Sequence, residues 1–514
     1  MHEENGPWNQ WRFEMEPGGP QHVGGDTPLL SGREWMIIAL SGLMILNGWY
    51  FLGIITVNIL ILLILERKGV LDRWNATRVL GFILMIRTRR GQLTLEKISR
   101  PRRLWRWFGE FSLWLCAFIL LITTTLITLS AITLLNQPTS QSLETSDVLL
   151  IPGVSNGIPL MWPLLALMVA LVIHEYGHGI QMRAHGMRVR SFGLLIASMI
   201  PIGAFAEPEA REITQAPIRE RMRTYAAGPA VNLVMAALLT VVLASTMMSI
   251  DPYDEGAYSP AIVVEGPSEA AGLLPYDIII KVENASIGSA SDLQNKLSEA
   301  SAGDIWTMAV LPYDNGSWGN QIELEIILGD KHAHYLAMNV TPEMLEALDI
   351  KPGDPFMGVS GDGLGPAIQS TTGGRDRLIG PFAADLSASE RILYGVTHPL
   401  QLLSIPLTFD GEVMASAEAA MLDVGPIHQE IINGIFWFWW INFLLGFANL
   451  IPVVPFDGGH LMRDAIRGSI QAVSNRISIL HPQRMEIFAT KTANVASLLF
   501  VGIFVLPILF RLVV

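Results

Sequence analysis

His174, Glu175 and His178 stand together in a run that is otherwise almost wholly apolar. On a helix, residues at i and i+4 lie one above the other, so both imidazoles can turn a nitrogen to one cation. Glu175, beside the first histidine, can then reach a water held by that cation. This is the mechanical logic of a zinc site that activates water: two ligands and a general base on one helix. The bland alternative is a hydrogen-bonded helix end, which leaves three costly ionisable groups beside a membrane-length run without a use. Catalytic zinc usually keeps three protein ligands and one open position. The third is expected at Asp457, where Pro452 and Pro455 break the backbone and Gly458 and Gly459 follow. An acid at a broken span end fits a site lined by protein or water; the alternative is that Asp457 caps the next helix. His185 and His460 are nearby in sequence but share no helical register with His174 and His178, and both are left out of the metal set.

Half of the 514 residues are apolar and only 16% are charged, which places these residues in a membrane protein. The formal charge of -13 argues against a nucleic-acid partner. One cysteine, Cys116, excludes an internal disulfide and a thiolate cluster, so His and carboxylate remain as metal donors. Residues 1–30 are polar, without the basic run and small-residue cleavage site of a removable signal, so the first apolar segment is expected to stay in the mature protein.

A bilayer core needs about 20 mostly apolar residues per helix. Six stretches meet that: 35–65, 113–135, 159–183, 222–246, 432–454 and 492–513. The first is read as one long span, because Gly42, Asn47, Gly48, Gly53 and Asn58 interrupt it without a charged turn; a hairpin is the alternative. Lys and Arg in short loops stay on the cytoplasmic side. They crowd the segment 66–112, follow the third stretch at Arg188, Arg190, Arg211, Arg219 and Arg221, and follow the fifth at Arg463, Arg467, Arg476 and Arg484. Residues 136–158 have none. The alternation predicts an outside N-terminus, an outside acidic block over 250–430, and a metal site towards the cytoplasm. The aromatic run from Phe436 to Trp440 reads as interfacial anchoring.

Within the acidic block, short β-like runs at 261–264, 277–282, 306–310 and 322–326 surround one helical stretch at 291–300. With Gly266, Pro267, Ser268, Ala270, Ala271, Gly272 and Leu273, then Asp277, then Gly303 and Asp304, the order resembles a bacterial protease-associated PDZ domain over 255–345. Tyr276 stands where that domain usually has glycine. Residues 346–430 receive no fold, apart from an amphipathic run from Arg391 to Leu407 expected on a membrane surface.

The two chemical motifs together resemble the site-2 protease family of intramembrane zinc metalloproteases, in its prokaryotic, PDZ-containing form. That family pairs H-E-x-x-H with a later N-x-x-P-x-x-P-x-D-G, here Asn449, Pro452, Pro455, Asp457 and Gly458. Ala227, Gly228, Pro229 and Asn232, and Pro201 with Gly203, are lesser marks of it. The fold class implied is a polytopic α-helical membrane protein of about six spans with an extracytoplasmic PDZ-like α+β domain. Its parts are a tail (1–34), two spans with a basic loop (35–135), core spans carrying the first motif (157–246), the PDZ-like domain (255–345), the unassigned region (346–430), and a core span with the Asp ligand plus a last span (431–514). The resemblance implies one zinc ion on His174, His178 and Asp457, Glu175 as general base, and Asn449 and Asn232 holding substrate or ordering the site. Helix-helix hydrogen bonding fits those two asparagines equally well. Residues 191–205, too short to span, become a re-entrant or β-like segment beside the metal; an interfacial loop is the alternative. The activity implied is regulated intramembrane proteolysis of transmembrane protein substrates in a prokaryotic membrane, with membrane lipid and no nucleic acid as surroundings. A metal-handling membrane protein and an inert PDZ scaffold are the rivals. Glu175, which a carrier does not need, argues against the first, and the complete ligand set argues against the second.

Overall fold

The structure, a computed structural model, describes residues 32–46, 50–79, 81–136, 152–153, 157–197, 200–314, 316–361, 366–383, 386–408, 411–477 and 487–503 apart from 489 and 493. Two compact units make it up: Met1–Glu144 with Leu164–Met235 and Ile441–Val514, and Thr145–Pro163 with Ala236–Trp440.

In the first unit, the expected single span over 35–65 is corrected to two helices, α1 (Gly32–Leu46) and α2 (Tyr50–Arg67). The Ser41 hydroxyl donates to Thr56 Oγ1 at 2.8 Å, 15 residues on. A straight helix would part them by about 22 Å, so the chain doubles back. Gly53 makes room for Ile45 of the facing helix. An outside N-terminus rested on one crossing here, and a hairpin returns Gly32 to the end at which Arg67 lies.

The basic segment that follows carries more than a loop. β1 (Ala76–Val79) and β2 (Ile83–Thr88) form an antiparallel ladder, with Ala76 opposite Ile86. Next comes α3 (Arg102–Asn136), whose stripe of Trp107, Trp114 and Leu121 is exposed, as a face against lipid would be. α4 (Met161–Ala184) is two-faced. Ala166, Ala170, His174, His178 and Gln181 are buried along one side, while Leu165, Met168 and Val172 are exposed on another. Residues three and four apart share a helix face, so the small residues and the histidines line one stripe.

The apolar segment 191–205 lies within a β-hairpin, β3 (Val189–Ala197) and β4 (Ile200–Pro208). β2 pairs with β3, giving an antiparallel sheet in the order β1-β2-β3-β4. Gly193 faces Phe205 across the ladder, and the Phe205 ring occupies the space a Cβ at 193 would need. After the hairpin, α5 (Ile218–Met248) runs through Pro229 without ending.

The second unit is an antiparallel sheet with a helix. β5 (Ala257–Tyr258), β6 (Ile278–Val282), α6 (Ala290–Ser298), β7 (Ile305–Leu311), β8 (Ile322–Ile327) and β9 (Gln369–Ser370) arrange as β8-β7-β6-β5-β9. Ala257, Ile279, Leu293, Met308, Val310 and Ile326 form its core, which alternation along the strands puts on one face. Ser289 caps α6 by accepting from Asp292 N. Tyr276 adopts a φ of 67°, the left-handed region that favours glycine. It is held by stacking on Tyr258 and by Trp318 Nε1 donating to its carbonyl at 3.3 Å. Residues 346–430, which the sequence leaves unassigned, continue this fold. β9 comes from them, and the buried Tyr258 hydroxyl lies 2.9 Å from Glu418 Oε1 and 3.0 Å from Gln369 Oε1.

α7 (Pro426–Ala448) ends six residues before the expected limit at 454, and α8 (Asp457–Ile477) opens on the candidate ligand. Between them Leu450 is fully buried, so an apolar loop continues the apolar helix and composition alone does not separate them. Four helices among the described residues are long and apolar enough to cross a membrane: Arg102–Thr133, Met161–Ala184, Ile218–Met248 and Pro426–Ala448. The sixth expected stretch is met by a shorter apolar helix, Thr490–Ile503, and its remainder lies outside the described residues.

Candidate metal centre

His174 Nε2 and His178 Nε2 are 3.1 Å apart. Asp457 Oδ2 lies 3.2 Å from the first and 3.3 Å from the second. Three groups more than 270 residues apart at the extremes therefore meet as a nearly equilateral triangle. Zinc bonds of 2.0–2.1 Å in tetrahedral geometry require ligand atoms about 3.3–3.4 Å apart. The donor set fits one such ion, with the fourth direction left over.

The surroundings fix each ligand. His178 Nδ1 lies 2.7 Å from Thr224 O, so the ring N–H points to that carbonyl and Nε2 is left as the acceptor. Asp457 is the first residue of α8, and Gly458 and Gly459 behind it have backbone of residues 450–454 where a Cβ would stand. Gly458 N donates to Asn449 O at 2.7 Å, which closes the turn that delivers the carboxylate. α5 approaches the histidines at Gly228, where a Cβ would meet Nε2 of both rings. Gly177 lies equally close against Ala227 O of α5. Small residues let two helix backbones touch, and here the contact brings a carbonyl and a bare glycine to the imidazoles.

Glu175 is not in the triangle. One of its carboxylate oxygens accepts from Ala206 N of β4 at 2.5 Å, so the hairpin orients it. Asn449 donates from Nδ2 to Leu445 O at 2.9 Å. Asn232 is fully buried on α5, and among the described residues neither its Oδ1 nor its Nδ2 has a hydrogen-bond partner. His185 faces Glu220 at 3.5 Å and takes no place at the triangle. His460 stacks on Tyr225 at 5.0 Å.

Two residues escaped sequence reasoning. Arg221, counted there among the charges of a cytoplasmic loop, is buried in α5 and makes a two-pronged ion pair with Asp464 of α8, both N–O distances 2.9 Å. No local pattern marks such a pair, since its partners are far apart in sequence. Gly228 was visible only as part of a short run with Pro229 and Asn232, with no signal that it faces the histidines.

A family model described as peptidase family M50 matches residues 162–483. An uncharacterised protein of Methanocaldococcus jannaschii is 23% identical over 447 residues, 87% of this chain and 94% of that protein. The metalloprotease MmpA of Caulobacter vibrioides is 23% identical over 267 residues, 48% of this chain and 59% of that protein. A protein of Mesorhizobium japonicum, named provisionally as a zinc metalloprotease, is 24% identical over 275 residues, 51% of this chain and 66% of that protein. The match thus spans about three-fifths to two-thirds of the two relatives named as metalloproteases.

Proposed function

The chain belongs to peptidase family M50, and from that membership we propose that it is an intramembrane zinc metalloprotease cutting transmembrane protein substrates in regulated intramembrane proteolysis. The observation that carries this reading is the triangle of His174 Nε2, His178 Nε2 and Asp457 Oδ2, sized for one tetrahedral ion. Zinc held there supplies Lewis-acid polarisation of a carbonyl and a pKa near 7 for water. Glu175 takes the proton from the attacking water at one carboxylate oxygen and passes it to the leaving amine, while the Ala206 N–H steadies the other oxygen. A metal carrier would have no use for a carboxylate so held. Asn449, tied into the turn before Asp457, orders the site, and Asn232, with both polar atoms unspent, is the better candidate for a substrate or water contact. The site lies towards the cytoplasmic side of a prokaryotic membrane and the acidic insert, PDZ-like in its order of elements, lies outside, as the basic segments argue.

Replacing Glu175 by Gln tests the reading. Cleavage of a single-span substrate falls by at least about a hundredfold, the scale of a lost general base, while zinc content stays at one ion per chain. Asp457→Ala lowers zinc content and activity together. Turnover like the wild type in Glu175→Gln overturns the hydrolytic role, and unchanged zinc in Asp457→Ala moves the third ligand elsewhere.

A further inference from the structure

α5 and α8 meet along a three-rung seam. At the first rung Gly228 lies against the histidine nitrogens that Asp457 faces. The second is the Tyr225 ring stacked on His460. The third is Arg221 with Asp464, Nε to Oδ2 and Nη2 to Oδ1, both at 2.9 Å. On α5 the rungs fall at 221, 225 and 228, and on α8 at 464, 460 and 457, so each helix uses one face at i, i+3 or i+4, and i+7. The two helices run antiparallel there, and the ion pair sits about 10 Å along the axes from the ligand end.

We infer that Arg221 and Asp464 are positioning residues that set the register at which Asp457 meets His174 and His178. The inference rests on the metal-site reading above. Its physical basis is that helix faces lined by small and apolar residues can slide, and a slip of one turn would carry Asp457 about 5 Å away from the histidines. A two-pronged guanidinium-carboxylate pair tolerates no such slip, because each oxygen has one nitrogen to meet. Both side chains are at most 7% exposed, so breaking the pair leaves a charge with no water to replace its partner. Arg221 also donates from Nη1 to Ala216 O at 3.1 Å, just beyond the short helix that follows β4. The same guanidinium therefore ties the segment that follows β4 and its short helix to the helix that starts with Asp457. Buried ion pairs are often neutral for stability when replaced by apolar groups, and their best-attested use is in fixing register. That makes register separable from folding here.

The test uses the full chain in detergent, stripped of metal and titrated with cobalt(II), whose visible spectrum reports tetrahedral geometry. Arg221→Met with Asp464→Leu removes the lock without leaving a lone buried charge, and Arg221→Lys keeps the charge but not the two-pronged geometry. The expected result is a thermal midpoint near the wild type for the double variant, cobalt affinity weaker by about 10–100-fold, as for other groups that orient ligands, and a changed visible spectrum, with Arg221→Lys in between. Wild-type affinity and spectrum in the folded double variant overturn the inference, as does failure of both variants to fold, which would make the pair a folding element. A wild-type chain that takes up no cobalt or zinc overturns the metal reading itself, so the two failures are distinguishable.

Discussion

Gly228 has no room for a side chain, because a Cβ would press on Nε2 of both histidines. In Gly228→Ala the rings must turn or α5 must retreat, and either change spoils a triangle whose sides are all within 0.2 Å of one another. We expect metal affinity to fall by about 10–100-fold, the range for groups that shape a site from behind its ligands. The fold should survive, since alanine suits a helix better than glycine does. Metal content by elemental analysis beside a thermal melt checks this, and full zinc loading in the variant would refute the contact. Residues of this kind explain what was and was not legible. His174, Glu175 and His178 declare themselves because their chemistry is encoded in five consecutive positions. Asp457 is readable because prolines and glycines disturb an apolar run around it. Gly228 and Arg221 are silent: the glycine acts by lacking atoms, and the arginine resembles any loop charge until Asp464 is brought beside it.

At the level of elements, length and hydropathy put spans at 113–135, 159–183, 222–246 and 432–454, and each overlaps a helix long and apolar enough to cross a membrane, at 102–133, 161–184, 218–248 and 426–448, since a span is a property of composition. They did not locate the α1-α2 hairpin, since no charged residue stands between the two helices in the sequence, nor β1 and β2, where the density of Arg hid short strands such as Ile83–Thr88. β1 and β2 also lie about 100 residues upstream of the strand they reach, β3, and pairing over that distance leaves no mark in a local window. The hairpin makes a prediction about sidedness. With Cys116→Ser as background, single cysteines at Arg33, Lys68 and Thr94 should all react with an impermeant reagent from one face of the membrane, and one at Ser291 in α6 from the other. Reaction of Arg33 and Lys68 from opposite faces would mean that α1 and α2 do not double back within the bilayer.

For the whole molecule, the topology proposed above, with the insert outside the cytoplasm and the site towards the inside, raises the question of what the insert does. Such an insert can act only on parts of a substrate that project outwards, either by gripping a chain end or by obstructing a bulky domain. Gripping by strand addition needs a free sheet edge beside a helix. Here the edge at β5, next to α6, is taken by β9 of the same chain: Ser370 Oγ accepts from Ala290 N at 2.8 Å, and Ile368 is buried in the same core as Leu293. Obstruction is therefore the expected role. The pairing also dictates how to test it, because a deletion ending near 345 would strand β9 without its partner. Thr371 N donates to Gly256 O at 3.0 Å, so the insert leaves and re-enters at adjacent points. Residues 257–370 can be replaced by a short Gly/Ser linker between Gly256 and Thr371, which leaves the ion pair of Arg377 with Glu418 in place at 2.6 Å. We expect this chain to cut a substrate already trimmed on its outer side as the full chain does, and to cut the untrimmed substrate that the full chain leaves intact. Loss of cleavage of the trimmed substrate, in a variant that still folds and carries its zinc, would point to gripping and reject obstruction.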